Sequence, residues 1–337
     1  MPFNILLLGG TSFLGPHLIH HLLANSHTVT LLNRGTKPAP PGTTSRIGDR
    51  LDPDGLSALA DLTFDAVIDT WSGDPSAVVR AVNILRGRVK HYIYISTLSV
   101  YDFTPSDKLP DEDTPLYDVT KPDAEKSEYQ YNKRSAEVAV EGFGGEVLIV
   151  RPGVILGPHE AGIIERGRLT WWLDRLSKGG RTAAPGPREL GLQIVDARDL
   201  AGFVVDGIDE GLEGVFNLVS EVGKVTMADV LEAGKEVTGG GAQLVWKTAA
   251  EIKEAGIGGW VELPLWLDGE SEQYAAVYRW DTKRAAEAGL KCRDISETVR
   301  DTWEWMKNGE SKPVPAPEGY KGSLLGLSKE KEAKLLG

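Results

Sequence analysis

The sequence has one cysteine, Cys292, among 337 residues. An intramolecular disulfide is therefore excluded, and a cysteine-based metal site is not expected. The six histidines show no H-E-x-x-H spacing, so we predict no metal. The sequence also lacks any apolar run near the ~20 residues that a membrane span needs. It has no basic leader of the secretory type. These absences favour a cytoplasmic protein with no membrane association.

Positive charge is also scarce. There are 37 Lys and Arg residues against 49 Asp and Glu, which gives a formal net charge of −12. A general nucleic-acid-binding surface needs a basic footprint, so a nucleic-acid partner is unlikely on charge grounds. The length allows a large core and favours one two-lobed unit or two domains.

The first half of the chain alternates apolar runs with helical patterns. Strands are predicted at 3–9, 28–34, 64–71, 91–96 and 146–152, and a helix at 75–87 is one of those between them. The first run is continuously apolar after Asn4, as is typical of a parallel strand buried on both faces. The alternation predicts an α/β fold, a Rossmann-type doubly wound parallel sheet.

The pattern changes after about residue 155, which indicates a smaller C-terminal α/β lobe. A strand and a helix within 190–208 are expected to return to the main sheet. From about Gly309 the chain is rich in Pro, Gly, Lys and Glu, which is typical of a loosely attached tail. The predicted parts are a dinucleotide-binding domain (1–155 and 190–225), a substrate-binding lobe (156–189 and 226–308) and a tail (309–337).

The stretch LLLGGTSFLG, from Leu6 to Gly15, joins the first strand to a helix. A dinucleotide site needs a close backbone approach to the pyrophosphate and a helix N-terminus aimed at it. Gly9 suits the tight turn and Gly15 the close packing of helix and strand, as in the dinucleotide fingerprint. Ser12 stands where a middle glycine is common. A plain turn is the alternative, but we predict cofactor binding by Gly9, Thr11, Ser12, Phe13, Leu14 and Gly15.

The end of the second strand bears on the choice of cofactor. A carboxylate there would bind the ribose 2′-hydroxyl of NAD and repel a 2′-phosphate. The sequence has Asn33 and Arg34 instead, and an arginine can pair with a phosphate in a forked geometry. This favours NADP over NAD, with a solvated surface arginine as the alternative for Arg34.

Two Tyr-x-x-x-Lys pairs have the spacing of a proton shuttle for hydride-transfer chemistry. A lysine four residues after a tyrosine shares its helix face, and an ammonium ion favours the phenolate. Tyr117–Lys121 lies in a loop rich in Pro and Asp, and Lys121 precedes a proline, which disfavours a helix. Tyr129–Lys133 lies in an uninterrupted helical stretch, so we predict this pair. Thr97 follows the strand at 91–96 and is placed to hydrogen-bond the substrate oxygen.

These residues together resemble a known family. GGTSFLG, ISTLSVYD, Tyr129–Lys133 and RPGVILGP (151–158) are similar to the extended short-chain dehydrogenase/reductases of the sugar-nucleotide epimerase/dehydratase type. The resemblance covers roughly residues 1 to 305. It implies that Tyr129 is the acid/base, that Lys133 binds the nicotinamide ribose and polarises Tyr129, and that Thr97 is the catalytic hydroxyl. It also implies cofactor contacts by Asp49 at the adenine, its neighbour Arg50, and Thr70 in the groove.

The sequence also departs from the family pattern at Ser12 and at Asp102, where glycine is usual. GGTSFLG with VTLLNRG is closer to an atypical branch that is also similar to chloroplast stem-loop RNA-binding proteins. The expected function is an NAD(P)-dependent oxidoreductase or epimerase acting on a carbonyl or alcohol carbon of a small molecule, with a sugar nucleotide as one candidate. The alternative is a non-catalytic dinucleotide-sensing or RNA-binding protein on the same fold. The family analogy implies a homodimer.

Overall fold

A computed structural model describes residues 1–106, 108–121, 127–160, 167–309 and 325–337. Within these ranges no helix has both the length and the apolar composition of a membrane span. The strands are β1 (Asn4–Leu8), β2 (Thr28–Asn33), β3 (Thr43–Ile47), β4 (Phe64–Asp69), β5 (Val89–Ile95), β6 (Glu146–Pro152), β7 (Val154–Leu156), β8 (Gly180–Pro185), β9 (Gly191–Leu192), β10 (Ile194–Asp196), β11 (Gly214–Leu218), β12 (Val225–Thr226) and β13 (Ala242–Lys247).

The helices of the described residues fall between and after these strands. They are α1 (Leu14–Ala24), α2 (Ser76–Leu85), α3 (Glu128–Glu141), α4 (Arg168–Ser177), α5 (Ala197–Glu210), α6 (Met227–Thr238), α7 (Ala249–Glu254), α8 (Glu272–Tyr278), α9 (Lys283–Glu287), α10 (Ile295–Lys307) and α11 (Lys329–Leu336). The chain divides into two compact units.

Unit 1 comprises Met1–Gly153, Arg198–Leu218 and Thr282–Leu290. Its sheet has seven strands in the order β11-β6-β5-β4-β1-β2-β3, and every neighbouring pair is parallel. The chain starts at β1, winds outward through β2 and β3, and then crosses back to β4 and beyond. This confirms the predicted doubly wound, Rossmann-type fold. In such sheets ligands bind at the carboxyl ends of the strands, where the strand order reverses, which here lies between β1 and β4.

The core of unit 1 covers both faces of this sheet. Successive strand side chains point to opposite faces. Leu6 and Leu8 of β1 pack in one cluster with Val78 of α2 and Val140 of α3. The intervening Leu7 is also fully buried. Burial on both faces explains why these strands are continuous apolar runs in the sequence.

Two parts of the predicted sheet differ from the structure. β3 went unpredicted because its sequence, TTSRI, is polar and largely exposed, as suits an edge strand. The segment 190–208 was expected to bring a strand back to the main sheet. Instead β10 pairs with β7 in a separate two-stranded sheet, and β11 is the strand that joins β6.

Unit 2 comprises Val154–Ala197, Val219–Asp281 and Lys291–Gly337. It is built from three two-stranded sheets, β10-β7, β12-β9 and β13-β8, together with helices that include α4, α6 and α10. Trp172, Met227 and Trp266 lie in its hydrophobic core. The core is therefore rich in large side chains.

The boundaries of the two units differ from the predicted ones. Residues 190–197 and 219–225 belong to unit 2, while 282–290 belong to unit 1. The predicted tail also differs, although 310–324 lie outside the described residues. α11 contacts β8, and Leu335 is buried. Glu332 accepts hydrogen bonds from Arg175 Nε at 2.7 Å and from the Ala183 amide at 3.1 Å. The described end of the chain is thus packed within unit 2.

Candidate active site

Two glycines of the turn have no room or no relaxed conformation for a side chain. Gly9 has φ +113°, and a Cβ there would lie 3.0 Å from Thr70 Oγ1. A Cβ on Gly15 would lie 2.3 Å from the carbonyl carbon of Gly10. A side chain at Gly9 would be strained by the positive φ, and a side chain at Gly15 would collide with the backbone of Gly10. Both positions therefore require glycine.

α1 begins directly after this turn, at Leu14. Its N-cap residue, Phe13, has φ 22° and makes no side-chain cap hydrogen bond. The first amides of a helix have no partner within the helix, and this end of the dipole favours anions. The start of α1 therefore has the features that a phosphate needs.

A groove of about 310 Å³ opens where the strands β1, β2 and β4 end. It contains eight of the predicted cofactor residues, namely Gly9, Thr11, Ser12, Asn33, Arg34, Asp49, Arg50 and Thr70. Phe13, Leu14, Gly15 and Lys133 do not line it: the first three form the start of α1, and Lys133 lies on α3. Sequence reasoning missed Gly10, Thr36, Lys37, Leu51, Trp71 and Ser72, which also line it. The position of Trp71 and Ser72 directly after a buried strand was the available signal.

The residues after β2 present polar groups to this groove. Asn33 Oδ1 accepts a hydrogen bond from the Gly35 amide at 2.9 Å. Asn33 Nδ2 is buried and has no partner among the residues that the structure describes. Arg34 is exposed, and Lys37 Nζ donates to the Thr11 carbonyl at 3.0 Å. An unpaired buried donor beside two cations is a suitable lining for an anionic ligand.

Arg50 lines the groove, but its charge is already engaged. Its two terminal nitrogens each bind an oxygen of Asp69 at 2.6 Å, and both side chains are buried. Tyr92 Oη also donates to Asp69 at 2.7 Å. Burial acts to raise the pKa of Asp69, but the charge and hydrogen bonds of Arg50 hold that pKa below its ordinary value. The guanidinium of Arg50 is therefore held by Asp69 as part of the groove lining.

Lys133 lies on α3 and is almost fully buried. Its Nζ donates to the carbonyls of Trp71 at 2.7 Å and Ile95 at 2.6 Å, just beyond β4 and at the end of β5. It also lies 4.9 Å from the ring centroid of Tyr94. Burial lowers the pKa of Lys133 to about 7, against the opposing charges of Asp69 and Glu137. The predicted lysine is thus fixed at the carboxyl edge of the sheet, next to a residue that lines the groove.

The segments that carry Thr97 and Tyr129 are connected by the side chain of Gln130. Thr97 is buried and its Oγ1 donates to Ser99 Oγ at 3.3 Å. Gln130 Nε2 donates to the Ser99 carbonyl at 3.3 Å, and the same side chain completes the capping box of α3 with Ser127. The start of α3 is therefore tied to the turn after β5. Tyr129 is 45% exposed, so its ring is accessible to a ligand.

The second Tyr-x-x-x-Lys pair lacks this arrangement. Tyr117 and Lys121 lie outside the helices of the described residues. Tyr117 is buried next to Leu116, which bridges to Tyr101. Lys121 is exposed and pairs with Asp118 at 3.2 Å. The helix that brings a tyrosine and a lysine to one face is present only at Tyr129–Lys133, as expected from the proline after Lys121.

A buried ion pair holds α3 against the sheet. Arg151 of β6 donates to Glu137 from Nε at 2.9 Å and Nη2 at 2.8 Å, and Glu137 is fully buried. The Arg151 guanidinium lies 4.6 Å from the centroid of the Tyr101 ring. Tyr101 Oη donates to Asn217 at 2.8 Å. The helix that carries Tyr129 and Lys133 is therefore anchored four residues beyond Lys133.

Solved structures with this fold are known. The Bordetella bronchiseptica enzyme WbmH in complex with NAD+ superposes with a TM-score of 0.70 at 17% identity, covering 91% of this chain and 99% of that one. UDP-glucose 4-epimerase with UDP-glucose from Thermotoga maritima superposes with a TM-score of 0.68 at 18% identity, also covering 91% and 99%. At such identities the similarity establishes the fold.

A curated relative is more similar in sequence. Chloroplast stem-loop binding protein of 41 kDa b from Arabidopsis thaliana is 29% identical over 236 residues, which span 65% of this chain and 59% of that protein. The sequence model of the NAD dependent epimerase/dehydratase family matches residues 5–218, which include the glycine-rich turn, Thr97, Tyr129 and Lys133. The chain therefore belongs to the NAD dependent epimerase/dehydratase family, a family of the short-chain dehydrogenase/reductase type.

Proposed function

We propose that this protein is an NAD(P)-dependent oxidoreductase or epimerase that transfers a hydride between nicotinamide and a carbonyl or alcohol carbon of a small molecule. One observation carries the proposal. Lys133, one helical turn after Tyr129, is buried and bound to the carbonyl of Trp71, a residue of the glycine-rich groove. A lysine costs free energy to bury, so its position beside the groove calls for a role in chemistry.

The mechanism divides between three side chains. The nicotinamide, when bound, supplies or accepts the hydride. Tyr129 donates its phenolic proton to the carbonyl oxygen during reduction and takes the proton back from the alcohol during oxidation. Lys133, in its protonated form, stabilises the phenolate with its ammonium group. Thr97 donates a hydrogen bond that orients the substrate oxygen.

The cofactor proposed is NADP, with NAD as the alternative. Arg34 and Lys37 line the groove after β2, and Asn33 stands where an NAD-binding protein of this fold would carry a carboxylate. The buried Asn33 Nδ2, unpaired among the described residues, is a further donor. Two cations and an amide suit a 2′-phosphate better than a neutral ribose.

The substrate class, assembly and location rest on separate observations. A sugar nucleotide is the first class to test, since the Thermotoga maritima structure holds UDP-glucose. A homodimer is proposed because α2 and α3 are in contact and expose Val79, Tyr131 and Val138. The single cysteine favours the cytoplasm. The molecular mass measured by light scattering as the protein elutes from a size-exclusion column tests the dimer.

The test of the catalytic role compares two neighbouring tyrosines. Tyr129→Phe is expected to lower turnover by about 10²- to 10⁴-fold, the usual contribution of acid–base catalysis, with unchanged dinucleotide affinity. Tyr131→Phe is the matched control, because Tyr131 is equally exposed on the same helix (44% against 45%). NAD(P)H absorbance with a panel of carbonyls and sugar nucleotides measures reduction, and product separation measures epimerisation. Normal turnover by Tyr129→Phe on an identified substrate contradicts the assignment.

A second candidate function is RNA binding, because the Arabidopsis thaliana relative is named as a stem-loop binding protein. The net charge of −12 opposes it. Filter binding of a labelled RNA stem-loop at physiological salt separates the two. Retention that falls steeply as salt increases is the signature of a phosphate-backbone contact.

A further inference from the structure

Trp71 is the member of the groove that the motifs leave unexplained. The sequence contains nine tryptophans, and Trp71 is the one that falls within the residue ranges of unit 1. The residue is half-buried and is one of those that line the groove. A large aromatic residue in the lining of a ligand groove calls for a physical reason.

The backbone of Trp71 is fixed on both sides. Its amide donates to Asp69 Oδ1 at 2.9 Å, and Asp69 is itself held by the buried Arg50. Its carbonyl accepts from Lys133 Nζ at 2.7 Å and from Tyr94 Oη at 3.0 Å. The peptide segment at Trp71 thus links the Arg50–Asp69 pair to the proposed catalytic residue Lys133.

The indole ring is fixed as well. Its Nε1 donates to the Asp74 carbonyl at 2.8 Å, and the Arg50 guanidinium lies 5.1 Å from the ring centroid. A Cβ on Gly73 would lie 3.2 Å from Trp71 Cζ2, so the lack of a side chain at Gly73 leaves room for the ring. The ring loses little conformational freedom when a ligand binds, since the free protein already holds it.

We propose that Trp71 is a positioning residue for the bound dinucleotide: its ring forms a rigid wall that the cofactor contacts, while its carbonyl holds Lys133. The inference rests on the proposed function, because it needs a dinucleotide in the groove. Rigid aromatic walls supply contact area at low entropic cost and are frequent centres of binding energy.

Tryptophan emission tests the contact without an activity assay. NAD⁺ and NADP⁺ do not absorb at the emission wavelength, so a change in emission reports a change around a tryptophan. Saturating either dinucleotide is expected to change the emission of the wild-type protein. Trp71→Phe should lose that change, and the control Trp303→Phe, a substitution in unit 2, should keep it. By calorimetry, Trp71→Ala should weaken binding about tenfold and Trp71→Phe by about threefold or less.

The outcomes separate this inference from the proposed function. If the wild-type protein binds neither dinucleotide by calorimetry, the proposed function fails and the inference with it. If it binds but its emission does not change, or the change persists in Trp71→Phe, the inference alone is overturned. A folded Trp71→Ala with wild-type affinity overturns it too. If Trp71→Ala does not fold by circular dichroism, the emission of Trp71→Phe decides.

Discussion

Replacing Lys133 by methionine should remove a specific dependence of stability on pH. Lys133 is almost fully buried, and burial lowers its pKa from 10.5 to about 7 in the folded protein. In the unfolded chain the pKa returns to its ordinary value. Between about pH 7 and 10.5, the unfolded state therefore holds a proton that the native state has lost. Stability rises with pH wherever the unfolded state binds more protons.

The size of the effect follows from the shift. One proton gives a slope of about 1.4 kcal/mol per pH unit, which amounts to roughly 4–5 kcal/mol across the window from about pH 7 to 10.5. Lys133→Met keeps the length of the side chain and loses the titration. It also removes the hydrogen bond to the Ile95 carbonyl and one of the two to the Trp71 carbonyl, which keeps its bond from Tyr94 Oη; a lost buried hydrogen bond costs about 1–3 kcal/mol at every pH.

The assay is urea unfolding followed by circular dichroism at several pH values from 7.5 to 9.5. The free energy of unfolding of the wild-type protein, minus that of Lys133→Met, should increase by about 1.4 kcal/mol per pH unit. Lys90→Met is the control, since Lys90 is exposed, and its curve should run parallel to the wild type. If the free energies of unfolding of Lys133→Met and of the wild type change in parallel with pH, the conclusion that Lys133 loses its proton in the folded protein is refuted.

Two further predictions concern the anchor of α3 and the cofactor. Glu137→Gln should lower the free energy of unfolding by about 3–5 kcal/mol, because it leaves the buried Arg151 charge unpaired. The control Glu146→Gln breaks the exposed Lys90 pair and should cost much less. Equal losses for the two variants in urea unfolding would contradict this prediction. Arg34→Leu should weaken NADP⁺ binding by about tenfold or more and leave NAD⁺ binding nearly unchanged. Arg46→Leu, another exposed arginine, is the control, and calorimetric affinities that fall together for both dinucleotides would argue against a 2′-phosphate contact.

The sequence predicts the parts of the fold that are buried and periodic. β6 has the predicted bounds, and β1, β2, β4 and β5 lie within two residues of theirs. Continuous burial makes such strands apolar, and the apolar run is the signal. β3 has no such run because it is an exposed edge strand. In unit 2, β7 and β12 escaped prediction because two or three residues carry no period.

The candidate site divides in the same way. Gly9, Gly15 and the Tyr129–Lys133 pair are visible in the sequence because their chemistry needs fixed spacings. The engagement of Arg50 with Asp69 is not visible, because it joins residues from different strand ends. The same is true of Trp71, whose role depends on carbonyl and amide contacts that leave no residue pattern.

The central claim is that the glycine-rich groove binds a nicotinamide dinucleotide, and calorimetric titration of the full chain tests it most directly. The wild-type protein should give a saturable binding heat with NADP⁺ or NAD⁺. Gly9→Val should abolish it, because Gly9 has φ +113° and a Cβ would lie 3.0 Å from Thr70 Oγ1. A wild-type protein that binds neither dinucleotide, or a folded Gly9→Val protein with wild-type affinity, would contradict the account.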